Sequence, residues 1–182
     1  FFGLLPGYVD NPNSSLICMI HLLMKKSKQN DGNSFYKDDF QKLFVELTHA
    51  VQSQQQVILF GVSFALYDFA KQYSLNAPNL IIIETGGLKS SKRQFSKIEI
   101  IETLNKSFPS SKIYSEYGMT ELLSQAYAKN NGQFYCPKHM KIFIRDLNDP
   151  FSFLATNKTG VINVIDLANI YSCAFIATQD AG

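Results

Sequence analysis

The sequence predicts an α/β fold, a mostly parallel sheet flanked by helices and followed by a smaller β subdomain. Two observations carry this. First, short continuous apolar runs, Val57-Ile58-Leu59-Phe60 and Leu80-Ile81-Ile82-Ile83, alternate with segments of helical periodicity. Strands that are apolar on consecutive residues are buried on both faces, as in a parallel sheet covered by crossover helices. Second, beyond Gly132 the rhythm changes to short apolar segments separated by polar turns, which suits locally paired strands.

Along the chain, Asn13-Ser14-Ser15 supplies a cap for a helix over Leu16 to Lys26, and the polar stretch Ser27 to Ser34 reads as an exposed loop. Asp38-Asp39 provide an acidic start for a second helix, whose buried face is Phe40, Leu43, Phe44, Leu47 and Val51 at spacings of three and four. Val57 to Phe60 is a strand ending at Gly61, and Ser63 to Tyr73 returns to helix through Phe64, Leu66, Tyr67, Phe69 and Ala70. The unit then repeats. Leu80 to Ile83 leads into Glu84-Thr85-Gly86-Gly87, Ile98 to Phe108 is helical, and Lys112-Ile113-Tyr114-Ser115 leads into Glu116-Tyr117-Gly118. Four short strands follow, at Phe134-Tyr135, Met140 to Ile144, Val161 to Ile165 and Ala174 to Ala177. Polar turns join them at Asn148-Asp149-Pro150 and Asn157-Lys158-Thr159-Gly160. The expected division is an α/β core over 1–132 and a β-rich subdomain over 133–182, with no flexible linker and no internal repeat.

At 182 residues, 46% of them hydrophobic and 18% charged, the chain can bury one sizeable core. A formal charge of +2 is too balanced for nucleic acid or an anionic membrane to be the main partner, so any phosphate binding is local. Cys18, Cys136 and Cys173 form neither a CxxC pair nor a close Cys/His set, and an odd count does not suit a disulfide framework; a reducing cytoplasm is expected. The opening Phe1-Phe2-Gly3-Leu4-Leu5-Pro6 has no basic flank or cleavage site, and no apolar run reaches the ~18 residues of a membrane helix. A chain that opens inside an apolar segment and stops at Ala181-Gly182 reads as a fragment.

In open parallel sheets ligands bind beyond the carboxyl ends of the strands, where turns expose backbone N–H groups and helix N-termini. Three segments fall there: Gly61-Val62-Ser63, Glu84-Thr85-Gly86-Gly87-Leu88-Lys89, and Tyr117-Gly118-Met119-Thr120-Glu121. Gly86-Gly87 admits main chain close to a flat ring and permits positive φ, or else simply makes a tight turn. Lys89, Lys92 and Arg93 can attract an anion or line a solvated loop. Tyr117 can stack on a purine, Gly118 makes room, Thr120 can bond a phosphate oxygen, and Glu121 offers Mg²⁺ a hard carboxylate; alternatively Thr120 and Glu121 start a helix running towards Tyr127. Asp180, ending the apolar strand Phe175-Ile176-Ala177-Thr178-Gln179-Asp180, can accept from two ribose hydroxyls or serve as a turn former. His21 and His49 fit structural roles within helices, and His139 has no partner visible in sequence. Cys173 reads as a buried small hydrophobe rather than an acyl-accepting thiol. Ser63 in Gly61-Val62-Ser63-Phe64-Ala65 lacks the second glycine of a nucleophile elbow, which disfavours a serine hydrolase. Phe64, Phe69, Leu122 and Leu123 are candidates for an acyl pocket but read more simply as core.

The order of strand–Glu-Thr-Gly-Gly, then Tyr-Gly-Met-Thr-Glu, then strand–Thr-Gln-Asp resembles the adenylate-forming superfamily of acyl-CoA synthetases, luciferases and acyl-protein synthetases. Within it, Ser115 to Gln125 and Ile165-Asp166-Leu167-Ala168-Asn169 look like the acyl-protein synthetase branch, the fatty-acid ligase of the bioluminescence reductase complex. The resemblance implies a piece of the nucleotide-binding N-terminal lobe. It implies ATP and Mg²⁺ as cofactors, with Gly86 and Gly87 lining the adenine pocket and Tyr117 and Gly118 against the base. Thr120 would contact the α-phosphate, Glu121 hold the metal and Asp180 the ribose hydroxyls. The family pattern has glycine where Gln179 stands. The implied reaction joins a carboxylic, fatty acid to ATP, giving acyl-adenylate and pyrophosphate, and passes the acyl group to a thiol of a protein cysteine or of coenzyme A. The phosphate loop and the C-terminal lobe are expected outside this chain, so the fragment alone is expected to be inactive. A non-catalytic nucleotide-binding or regulatory domain is the alternative.

Overall fold

The computed structural model describes residues 1–27, 34–86, 96–129 and 132–182. Five strands form the parallel part of the larger sheet: β1 (Phe2–Leu4), β2 (Phe35–Tyr36), β3 (Val57–Val62), β4 (Leu80–Thr85) and β5 (Lys112–Tyr117). With β6 (Ala126–Lys129) and β7 (Gln133–Tyr135), the order across it is β2-β1-β3-β4-β5-β6-β7. The helices are α1 (Ser15–Lys26), α2 (Phe40–Gln52), α3 (Ser63–Gln72) and α4 (Lys97–Ser107). A separate antiparallel sheet holds β8 (Met140–Arg145), β9 (Val161–Asp166) and β10 (Phe175–Ala181), in the order β10-β9-β8. The expected α/β class with a smaller β portion is therefore the observed one.

By their internal contacts the residues form two compact units, one of Phe1–Glu116 with Ala128–Gln133, the other of Tyr117–Tyr127 with Phe134–Gly182. In the first, five of the six residues of β3 are buried although successive side chains point to opposite faces. Both faces of that strand are thus covered, which is why its sequence is a continuous apolar run. Leu43 and Leu47 of α2, Leu66 and Phe69 of α3, and Ile100 and Leu104 of α4 are fully buried. Each such side chain contributes on the order of 1.5–3 kcal/mol of hydrophobic stabilisation. Phe69 is the hub of an aromatic cluster, stacked on Phe108 at 5.7 Å and meeting Phe40 edge-on at 5.8 Å between ring centroids. The second unit has a small core of Leu122, Met140 and Val164, with Tyr117, Met119 and Ile142 packed around it.

Capping follows the sequence closely. Ser14 accepts from the Ile17 amide at 3.2 Å and Ser96 from the Glu99 amide at 3.1 Å. Asp39 departs from expectation: it is the N-cap of α2, accepting from Lys42 N at 3.0 Å, rather than a residue of the first turn. Most of the expected loop 27–34 lies outside the described residues. No helix among the described residues is long and apolar enough to cross a membrane.

Candidate functional site

In the first unit, the carboxyl ends of β3, β4 and β5 carry a buried polar cluster. Register places Gly61 beside Glu84 and Val62 beside Thr85, while Glu84 pairs with Ser115 on the other side. Ser63, the first residue of α3 and only 2% exposed, donates to the Glu84 carboxylate and lies 2.9 Å from the Gly86 carbonyl oxygen. Glu84 is itself buried. Among the described residues its second oxygen, Oε2, accepts no hydrogen bond, and the Lys97 ammonium stands 3.6 Å away. The Thr85 hydroxyl donates to Glu116. Burial raises the Glu116 carboxyl above its ordinary range, and the charge of Glu84 adds to that, while the Thr85 hydrogen bond and Lys97 pull the other way. Gly86 is exposed and turns with φ 87°, in the left-handed region that glycine enters without a Cβ penalty. Gly87, Lys89, Lys92 and Arg93 lie outside the described residues. Among the described residues the partners of Ser63 are a carboxylate and carbonyls, not the imidazole that a serine nucleophile of the triad type requires.

The second unit brings together Tyr117 and Asp180, residues 63 positions apart. The Tyr117 hydroxyl donates to Asp180 Oδ2 at 2.9 Å, and its ring meets Phe134 edge-on at 6.2 Å. Burial, and then the Asp180 carboxylate, hold the Tyr117 hydroxyl well above the usual tyrosine range. Asp180 owes its place to an irregularity in β10. Ala177 pairs with Asn163 and Ala181 with Val161, so Thr178, Gln179 and Asp180 face Ile162 alone. Bulges of this kind redirect side chains. Thr178 fixes the bulge from within, its hydroxyl donating to Ile162 O at 2.9 Å and accepting from Asp180 N at 3.0 Å. Gln179 is not among the residues with positive φ, so it needs no strained backbone where the resembled pattern has glycine.

Gly118 is partly buried, while Thr120 and Glu121 sit exposed in a turn. The alternative in which they open a helix towards Tyr127 is corrected: residues 120–125 are irregular and β6 follows. The reason lies in a carboxylate 42 residues on. Asp166, fully buried, accepts from Leu123 N at 3.0 Å, Ser124 N at 2.9 Å and Ser124 Oγ at 2.6 Å, and also from Ala168 N at 3.1 Å. Two of these donors are amides that a helix would bond internally. Burial alone would raise the Asp166 carboxyl, but the four donated bonds outweigh it and hold it below the ordinary aspartate range. Asn169 completes the clamp, donating to Glu121 O at 2.5 Å and Cys173 O at 2.8 Å.

Two further expectations need correction: Cys173 is exposed, in the irregular segment ahead of β10, and Leu123 is 65% exposed while its neighbour Leu122 is core. His21 and His49 lie within α1 and α2, on their exposed faces. His139 is exposed as well. No cluster of three or more His, Cys, Asp or Glu able to hold a metal occurs among the described residues. A cavity of about 480 Å³ in the first unit, walled by Ile98, Ile101, Ile113 and Ala128 with Lys97 and Lys129, contains none of the nominated residues.

No family model matches the chain, and no curated protein matches it. Solved structures do. The ATP-bound RpMatB-BxBclM chimera B1 matches with TM-score 0.58 at 14% identity, over 82% of this chain and 31% of that one. Apo MatB from Rhodopseudomonas palustris gives 0.57 at 14%, over 81% and 32%. Unliganded O-succinylbenzoate coenzyme A synthetase (MenE) from Bacillus subtilis gives 0.59 at 14%, over 81% and 33%. The chain thus spans about a third of the length of the structures it matches. These neighbours are adenylate-forming acyl-CoA synthetases, and the fold of this chain is that of part of their N-terminal lobe.

Proposed function

We propose that this chain is the nucleotide-binding portion of an enzyme that activates a carboxylic acid with ATP, forming an acyl-adenylate and pyrophosphate and then an acyl thioester. The observation that carries the proposal is the Tyr117–Asp180 hydrogen bond at 2.9 Å. It brings together an aromatic ring suited to a purine and a carboxylate suited to two ribose hydroxyls, from motifs 63 residues apart, within one unit. Gly86 and Gly87 keep the adenine-lining role that the resemblance implies, Gly118 lies beside the base and Thr120 serves the α-phosphate. The fold shared with an ATP-bound chimera supports this reading.

Magnesium fits the same reading at Glu121. Mg²⁺ is commonly held by one or two carboxylates plus substrate phosphates rather than by an all-protein cage, so a lone exposed Glu121 is the expected protein share. When bound, the ion would neutralise charge developing on the α-phosphate. The acid is proposed to be a fatty acid and the acceptor a protein cysteine or coenzyme A, in the acyl-protein synthetase manner, which suits a reducing cytoplasm.

The test is carboxylate-dependent ATP–pyrophosphate exchange by the native polypeptide that carries this sequence, across acids of increasing length with Mg²⁺ present. Exchange confined to one class of acid is the expected result and names the substrate. ATP binding without exchange for any acid would make the chain a non-catalytic nucleotide-binding domain instead.

A further inference from the structure

Ser63 stands at the start of a helix, where a serine ordinarily caps its own first turn. It does not do so here. The N-cap position of α3 is Val62, which makes no side-chain cap, and the Ser63 hydroxyl reaches across to β4 instead. There it meets the Glu84 carboxylate and, at 2.9 Å, the carbonyl oxygen of Gly86. Ser63 is only 2% exposed, which limits competition from water for its hydroxyl.

The geometry at Gly86 gives this contact its meaning. The residue holds φ 87°, and a Cβ there would meet only Val62 Cγ1 at 3.6 Å and Tyr8 Oη at 4.0 Å. Packing around it is loose, so contact among the described residues does not force the turn. What the described residues offer its carbonyl is the Ser63 hydroxyl. The single hydroxyl proton is shared between two acceptors, the buried Glu84 carboxylate and the turn's carbonyl, a three-centre bond that ties the turn to β4. Glu84 anchors the hydroxyl in turn, and Lys97 at 3.6 Å from Glu84 Oε2 supplies the opposing charge.

We propose that Ser63 is a positioning residue for the nucleotide: anchored on Glu84, it holds Gly86 in the turn that admits the adenine ring. The proposal rests on the adenylation reading. Ser63 touches no substrate atom in this scheme and acts only through Gly86.

The experiment compares Ser63→Ala and Ser63→Thr with the wild type in the native polypeptide, reading the dissociation constant for ATP, KM for ATP, kcat for exchange, and Tm. Loss of the hydroxyl should weaken ATP binding and raise KM about tenfold, with kcat changed far less, and threonine should restore values near wild type. Unchanged ATP affinity in Ser63→Ala, or equal weakening in the alanine and threonine variants, would overturn the proposal, since a packing role predicts either. Should Ser63→Ala not fold, Ser63→Cys replaces it, being close in size and a weak donor, and the same split decides. A wild type that exchanges normally beside an unaffected Ser63→Ala removes this inference alone; a wild type that binds no ATP removes the adenylation reading with it.

Discussion

Asp166 at the end of β9 and Glu116 near the end of β5 are carboxylates largely withdrawn from water, and their acidities move in opposite directions. Asp166 accepts three backbone amides and one hydroxyl, and its carboxyl lies below the ordinary range. Glu116 has the Thr85 hydroxyl on it and Glu84 nearby, and its carboxyl lies above. Burial pushes both upward. What differs is the supply of donors to the ionised form, and four hydrogen bonds suffice to reverse the sign. The Asp166 region therefore gains from its charge, as a clamp on the 119–124 turn should, while Glu116 carries its charge at a cost.

The most direct way to break this contrast is Asp166→Asn. An amide group would then face donors that require an acceptor, and the variant should lose about 3 kcal/mol of stability in urea denaturation. A loss below the worth of a single neutral hydrogen bond would show that the four bonds are not acting together.

Next in size is Asp180→Ala, which removes the carboxylate that Tyr117 holds. Nucleotide affinity should fall roughly tenfold or more, corresponding to about 1.5–3 kcal/mol for a charge-assisted hydrogen bond. Titration with ATP measures it, and unchanged affinity would detach Asp180 from the site.

The contrast extends to the backbone of the two strand-end turns. Gly86 has a left-handed φ, whereas Gln179 does not, so Gly86→Ala should cost about 1 kcal/mol through strain, with no clash among the described residues. Thermal denaturation that shows no loss would mean the turn relaxes freely.

The smallest effect is a slope. The folded state binds the Glu116 proton more tightly than the unfolded chain, so this group's contribution is greatest below the ordinary glutamate range and declines as pH rises through the raised value. Asp166 does the reverse: its contribution is present above the ordinary aspartate range and is lost as pH falls through the depressed value. Glu116→Gln should flatten the decline in stability from mildly acidic to neutral pH, measured as a series of urea midpoints, and leave the acid limb unchanged. A profile identical to wild type would place the Glu116 carboxyl in its ordinary range.

The sequence by itself determined the elements whose signal is local. The continuous apolar runs of β3 and β4, the periodic faces of α2, α3 and α4, and the cap at Ser14 are legible because each residue's environment repeats within a few positions. The motifs at 84–87, 117–121 and 178–180 were likewise visible as types in order. The strands β1 and β2, at three and two residues, were too short to show any period. Only the tertiary structure decided which residues meet. Ser63 finds Glu84 through the register of β3 on β4, Asp166 finds Ser124 across 42 positions and denies that segment a helix, and a bulge no pattern announces brings Asp180 to Tyr117. Those pairings depend on strand register and on competition for backbone donors between distant groups, and neither leaves a trace in the spacing of residues along the chain.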